Sequence, residues 1–194
     1  MSHSIIKVTF SAPICTTEEP EKVKAAVSNL VNYGKPKSEE IQPTFISNEN
    51  QEKESNKQNE DSSNPFISGA ENAKQTAAIA GDLTLLSGIH YLIRKEEIID
   101  TANTAFVEGV SECECSTTVY LNKQAAFMKH LSFPADIEPL GSIELKIEAE
   151  TPEELQNIID WLTPPTKDGV PLFELKINEL QNSKTSIRES KWNF

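Results

Sequence analysis

Basic charge is what this chain has least of. Asp and Glu number 30 against 18 Lys and Arg, for a formal charge of -12 over 194 residues. That balance disfavours indiscriminate attachment to phosphate backbones, although it permits a local basic patch. Glycine is scarce as well: the seven glycines do not cluster, which leaves no Gly-rich phosphate loop. The three cysteines, Cys15, Cys113 and Cys115, are odd in number and do not match the even framework of a small secreted domain, so reduced thiols are expected. The opening MSHSIIKV lacks the basic start and apolar run of a signal peptide. No stretch approaches the apolar length of a membrane span. These absences predict a cytoplasmic chain with no membrane association.

Catalytic and metal chemistry is equally sparse. His3, His90 and His130 are scattered and follow no HExxH-like pattern. No nucleophile and base pair can be assigned from them, so no catalytic residue is expected. Cys113-Glu114-Cys115 lacks the Cys-x-x-Cys spacing of zinc and thioredoxin-like sites and has no second cluster to supply partner ligands. It reads as two cysteines in a connecting loop. No metal and no cofactor are implied.

What is present is an α+β pattern. Residues 5 to 12 alternate as a strand that buries Ile6, Val8, Phe10 and Ala12. Thr16 or Thr17 can cap the following helix, Pro20 suits its first turn, and Val23, Ala26, Val27, Leu30 and Val31 form its apolar stripe before Gly34. From about Pro36 to Ala80 the composition turns to Glu, Asn, Gln, Ser and Lys, too polar to offset the entropy of ordering, and most of it is expected to be disordered. A short helix over Ala73 to Ala80 is conceivable. Leu83, Leu85 and Leu86 suggest a short strand, and Ile89, Leu92 and Ile93 the stripe of a helix. After Lys95 that stripe shifts to Ile98, Ile99, Ala102, Ala105 and Phe106, which implies a kink or a second helix.

Later, Ile143, Leu145 and Ile147 alternate with charged residues as a strand with one wet face. Thr151-Pro152-Glu153-Glu154 is a capping box that opens a helix with Leu155, Ile158, Ile159 and Leu162 inward. Val170 to Ile177 suggests an edge strand. Residues 5 to 31 and 142 to 162 thus echo each other as strand, helix start and amphipathic helix, which predicts a sheet covered by helices on one face. The expected organisation is one domain built from residues 1–35 and 82–180, interrupted by an acidic insert over 36–81 and followed by a loose tail over 181–194.

One stretch stands apart, Val119 to Phe133, VYLNKQAAFMKHLSF. Its alternation reads as two strands joined by a polar turn at Asn122-Lys123-Gln124-Ala125-Ala126. Asn122 suits the turn, but Lys123 and Gln124 have no structural necessity there. They offer a point charge for a phosphate oxygen and an amide for a base edge or ribose hydroxyl, with the rings of Tyr120 and His130 placed to flank the turn for stacking. An ordinary solvent-facing hairpin is the competing reading.

The combination of EEPEKVKAAVSNLV, LIRKEEIIDTANTAF, VYLNKQAAFMKHLSF with PLGSIELKIE, and TPEELQNIIDWLTPPTKDG resembles an archaeal protein family, uncharacterised protein family 0201. That family is described as RNA-binding and as a predicted exosome subunit, with a fold like that of the fifth large-subunit ribosomal protein. The resemblance covers residues 5 to 33 and 82 to 170. It implies a single ribosomal-protein-like α+β domain, mostly antiparallel in its sheet, and a non-enzymatic RNA-binding role as an accessory of RNA processing or the ribosome. Where the family carries an arginine-rich helix, Leu92 to Ala102, this chain has the basic pair Arg94 and Lys95. The expected RNA-binding set is therefore Arg94, Lys95, Tyr120, Asn122, Lys123, Gln124, Lys129 and His130, with RNA and an RNA-processing complex as partners. The net negative charge motivates the alternative, a protein-interaction module without RNA binding.

Overall fold

Alternation in the first strand sets the centre of the molecule. In the computed structural model, which describes residues 6–47, 75–134, 138–167 and 170–175, β1 (Lys7–Ile14) turns Val8, Phe10, Ala12 and Ile14 into the core. It is the middle strand of a five-stranded sheet ordered β2-β3-β1-β5-β4, in which every pairing is antiparallel. The partners are β2 (Thr44–Ser47), β3 (Gln75–Gly81), β4 (Ser116–Leu121) and β5 (Ile143–Glu148). One row of side chains crosses four strands: Ile79 opposite Phe10, Phe10 opposite Leu145, and Leu145 opposite Val119. All four are buried, and each contributes about 1.5–3 kcal/mol of hydrophobic stabilisation.

Helices cover that face. α1 (Pro20–Val31) buries Val23, Ala26, Val27, Leu30 and Val31 as its spacing predicts, but its N-cap is Glu19, with no side-chain cap from Thr16 or Thr17. The stripe that shifts after Lys95 resolves into two helices, α2 (Ser87–Lys95) and α3 (Ile99–Glu108), with Glu97 at a positive φ of 57° between them. α5 (Pro152–Leu162) starts at the expected capping box: Glu154 N donates to the Thr151 hydroxyl at 3.2 Å, and the Glu154 carboxylate accepts from Glu150 N. The two strand–helix units lie side by side, because β1 and β5 are neighbours.

Five expectations need correction. β2 and β3 fall within the span 36–81, so order extends into it from both sides; residues 48–74 lie outside the described residues. Residues 73 and 74 lie outside the described residues, and the described part of the stretch read as a possible helix, Gln75 to Ala80, is strand instead. Its alanines carry little strand preference of their own, and β3 is held instead by seven residue pairs with β1 that place Ala77 and Ile79 in the core. Leu83 to Leu86 is a 3-10 turn, since Asp82 accepts a hydrogen bond from Thr84 N and diverts the backbone from extension. The strand expected over 170–177 is only the two residues of β7 (Val170–Pro171), paired with β6 (Thr166–Lys167); residues 176 and 177, and the tail beyond them, lie outside the described residues.

The fifth correction concerns the stretch after β4. No hairpin forms there. Asn122 ends the strand by accepting from Ala125 N at 2.8 Å, and that cap starts α4 (Lys123–Phe127). Lys129 then takes a positive φ of 65°, and the chain returns so that Asn122 N donates to Ser132 O at 2.8 Å. Phe127 to Phe133 thus never joins the sheet, and Phe127 is exposed while Leu131 is buried.

Candidate nucleic-acid interface

The capped turn aims Lys123 inward. Its ammonium donates to Pro13 O at 2.6 Å, to Leu140 O, and to the Glu18 carboxylate at 2.9 Å, which satisfies its three protons. The side chain is 7% exposed and that of Glu18 is 11% exposed, so this is a buried ion pair. Glu18 also accepts from Cys15 N, and the Cys15 thiol donates to Leu140 O. Burial raises the Cys15 thiol above its ordinary value. Lys123 therefore ties together the end of β1, the corner before α1, the head of α4 and the loop before β5. A group enclosed in this way is not presented to a phosphate.

Arg94 is likewise engaged inside the fold. Its guanidinium donates to Leu162 O and Trp161 O at the end of α5 and forms a two-pronged pair with Glu174 at 2.9 and 2.8 Å. That pair holds the Glu174 carboxyl below the usual carboxylate range. Tyr120 lies on the other side of the sheet from the helices, opposite Glu144, and its partial burial raises the phenol above its ordinary value. Asn122 is occupied by its cap and by donation to Glu138 at 2.7 Å.

The remaining four are outside. Gln124, Lys129 and His130 are exposed on α4 and the loop that follows, and Lys95 is exposed at the end of α2. The fold brings the two segments together through Glu96, whose carboxylate lies 3.0 Å from His130 Nδ1 and accepts from Leu131 N. Asn29 of α1 secures the other side, donating to Ala126 O and Phe127 O at the end of α4.

The structure adds two rings that the sequence reading missed. Lys95 hydrogen-bonds the Tyr33 hydroxyl and lies 4.9 Å from that ring's centroid, and this hydrogen bond raises the Lys95 ammonium above its ordinary value. Tyr33 in turn packs against Tyr91, with centroids 5.5 Å apart and planes 31° from parallel. Tyr91 is 53% exposed. The available signals were modest: Tyr33 precedes Gly34 in a stretch that continues with Lys35 and Lys37, and Tyr91 lies off the buried stripe of its helix.

The arrangement defines a class: an antiparallel α+β domain with helices on one face and a cationic, aromatic cluster at the helix ends. Among the described residues, no group of three or more His, Cys, Asp or Glu side chains could hold a metal ion. The family model described as RNA binding matches residues 7–149. A UPF0201 protein of Methanosarcina acetivorans is 35% identical over 186 residues, covering 93% of this chain and 98% of that protein. Another from Aeropyrum pernix is 32% identical over 180 residues, covering 92% and 98%. The crystal structure of a UPF0201 protein from Methanococcus jannaschii superposes with a TM-score of 0.61 at 26% identity, covering 86% of this chain and 99% of that one. The chain belongs to the UPF0201 family, and the family model that it matches carries the RNA-binding description.

Proposed function

We propose that this protein binds RNA without catalysing a reaction on it, as an accessory of RNA processing or of the ribosome. The observation that carries the reading is the cluster of Lys95 over Tyr33, itself packed on Tyr91, with Lys129 and His130 on the adjoining loop. Ammonium groups beside the exposed ring of Tyr91, backed by half-buried Tyr33, suit an unpaired strand, because a ring stacks on a base while the cations meet phosphates. Gln124 adds an amide able to read a base edge. Arg94, Asn122 and Lys123 serve this face by holding its scaffold, and Tyr120 belongs to the opposite side of the sheet.

The test uses the Lys95→Ala/Lys129→Ala double variant and a fluorescent single-stranded RNA. Binding should weaken at least severalfold while the melting temperature stays near that of the wild type. Equal affinity in the two proteins would count against this face. The alternative, a protein-interaction module, draws on the exposed Phe127 and Met128, 43% and 67% accessible, beside the same cluster. A partner retained from native lysate after nuclease treatment, together with no measurable affinity for RNA, would favour it.

A further inference from the structure

At the end of β4 away from α4, the chain makes a turn that presents two thiols. Ser111 N donates to Ser116 O at 2.9 Å and Glu114 N to Ser111 O at 2.9 Å, while Ala149 N donates to Cys115 O and stitches the turn to the end of β5. Ser111 and Ser116 hydroxyls lie 3.0 Å apart and close the mouth of the loop. Above this base Cys113 is exposed, with its Sγ 3.3 Å from Ser111 Oγ, and Cys115 is partly exposed. Glu114 between them has φ of 53°, the left-handed helical basin. That conformation folds the tripeptide and holds the two cysteine Cα atoms closer than an extended chain would, as a disulfide requires.

We propose that Cys113 and Cys115 form a redox-active dithiol that reacts with low-molecular-weight disulfides, Cys113 as the attacking thiol and Cys115 as the resolving one. The asymmetry of their surroundings supports this order. Hydrogen bonds, first that with Ser111, hold the Cys113 thiol below its ordinary value, whereas loss of hydration and the neighbouring Cys113 push Cys115 up, with Glu114 adding to the rise. The more exposed thiol is thus also the one that ionises first, which favours its attack.

The chemistry balances without another component. The Cys113 thiolate attacks one sulfur of a small disulfide RSSR, forming a mixed disulfide and expelling one thiolate, which takes up the proton Cys113 released. Cys115 then loses its proton and attacks the Cys113 sulfur, forming the Cys113–Cys115 bond and expelling the second thiol. The sum converts RSSR and the protein dithiol into two RSH and one protein disulfide: the small molecule is reduced, and the protein is oxidised by two electrons.

The experiment incubates the full reduced chain with oxidised glutathione, alkylates the remaining thiols and maps the products by peptide mass spectrometry. Wild type should yield the Cys113–Cys115 disulfide, and Cys115→Ser should accumulate a lasting glutathione adduct at Cys113. Cys113→Ser should lose the cross-link and leave Cys115 alkylated; a thermal melt matching wild type would verify its fold. The proposal is overturned if both cysteines of the wild type stay alkylated, if an unresolved adduct persists at Cys113, or if Cys115 reacts as fast without Cys113. RNA affinity is not a readout here, so this outcome is independent of the function proposed above.

Discussion

Two side chains carry consequences that their residue types alone do not suggest. Lysine is ordinarily a surface residue, yet Lys123 is enclosed by two carbonyls and the Glu18 carboxylate. Removing one partner of a buried pair leaves the other charge uncompensated, which costs on the order of 3–5 kcal/mol. Lys123→Ala should therefore lower the urea midpoint sharply. Lys123→Glu should abolish folding, because it would set a second carboxylate beside Glu18; a variant that melts like wild type would refute the structural role. His90 behaves differently. Its ring stacks on Trp161 with centroids 4.5 Å apart and planes 15° from parallel, and its buried Nε2 has no hydrogen-bond partner among the described residues. Burial first, and Arg94 second, lower its pKa from 6.5 to about 4, against an opposing pull from Glu174. The folded value lies below the unfolded one, so the neutral ring's contribution is fully present above pH 6.5 and is lost as pH falls towards 4. Wild type should lose more stability between pH 7 and pH 4.5 than His90→Phe does, measured by urea unfolding at both values; equal losses would exclude His90 as the titrating group.

At the scale of elements, close approach and capping decide the helical layer. A Cβ added at Gly88 would lie 2.0 Å from the Leu30 carbonyl oxygen, so α1 and α2 meet where only glycine fits. Gly88→Ala has to push the helices apart, and overpacking of this kind costs about 1–3 kcal/mol or more. Calorimetry should show a clear fall in melting temperature, larger than for Gly34→Ala, where nothing lies within 4 Å although φ is 78°. The legibility of each element followed its local chemistry. β1, α1, β5 and α5 were readable because their periodicity was clear; at α5 the end signals agreed down to the Thr151 cap, whereas at α1 only Pro20 did, the cap being Glu19. α4 was not, because Val119, Leu121, Phe127, Leu131 and Phe133 occupy alternate positions that mimic two strands, and only the Asn122 cap reveals the helix between them. β3 was hidden by alanines whose strand character comes from β1.

At the scale of the whole molecule, one sheet face is packed and the other carries Tyr120, Glu144, Lys146 and Glu148. On that face Glu148 pairs with Lys146 at 2.9 Å and Lys7 at 3.5 Å, Lys146 being the main cause of its lowered carboxyl pKa. These charges largely satisfy one another. The net charge of -12 repels nucleic acid at long range, so the proposed RNA binding depends on the local cluster at the helix ends. Each phosphate contact to a single strand contributes about 0.7 to the slope of log affinity against log salt, and losing Lys95 and Lys129 together should reduce that slope by about 1.4. A salt titration of both proteins measures the difference; identical slopes would mean that neither lysine touches phosphate.

The amino-acid sequence by itself determined the α+β class, the paired strand–helix units and the family, since these depend on periodicity, capping residues and contiguous motifs. Tertiary structure alone decided which polar residues remain on the surface. Lys123 was drawn inward by carbonyls 110 and 17 residues away, and Arg94 by the end of α5. Tyr33 reached Lys95 and Tyr91, four residues apart on α2, only through the packing of α1 on α2. Burial and partnership are properties of residues distant in the chain, and no local pattern encodes them.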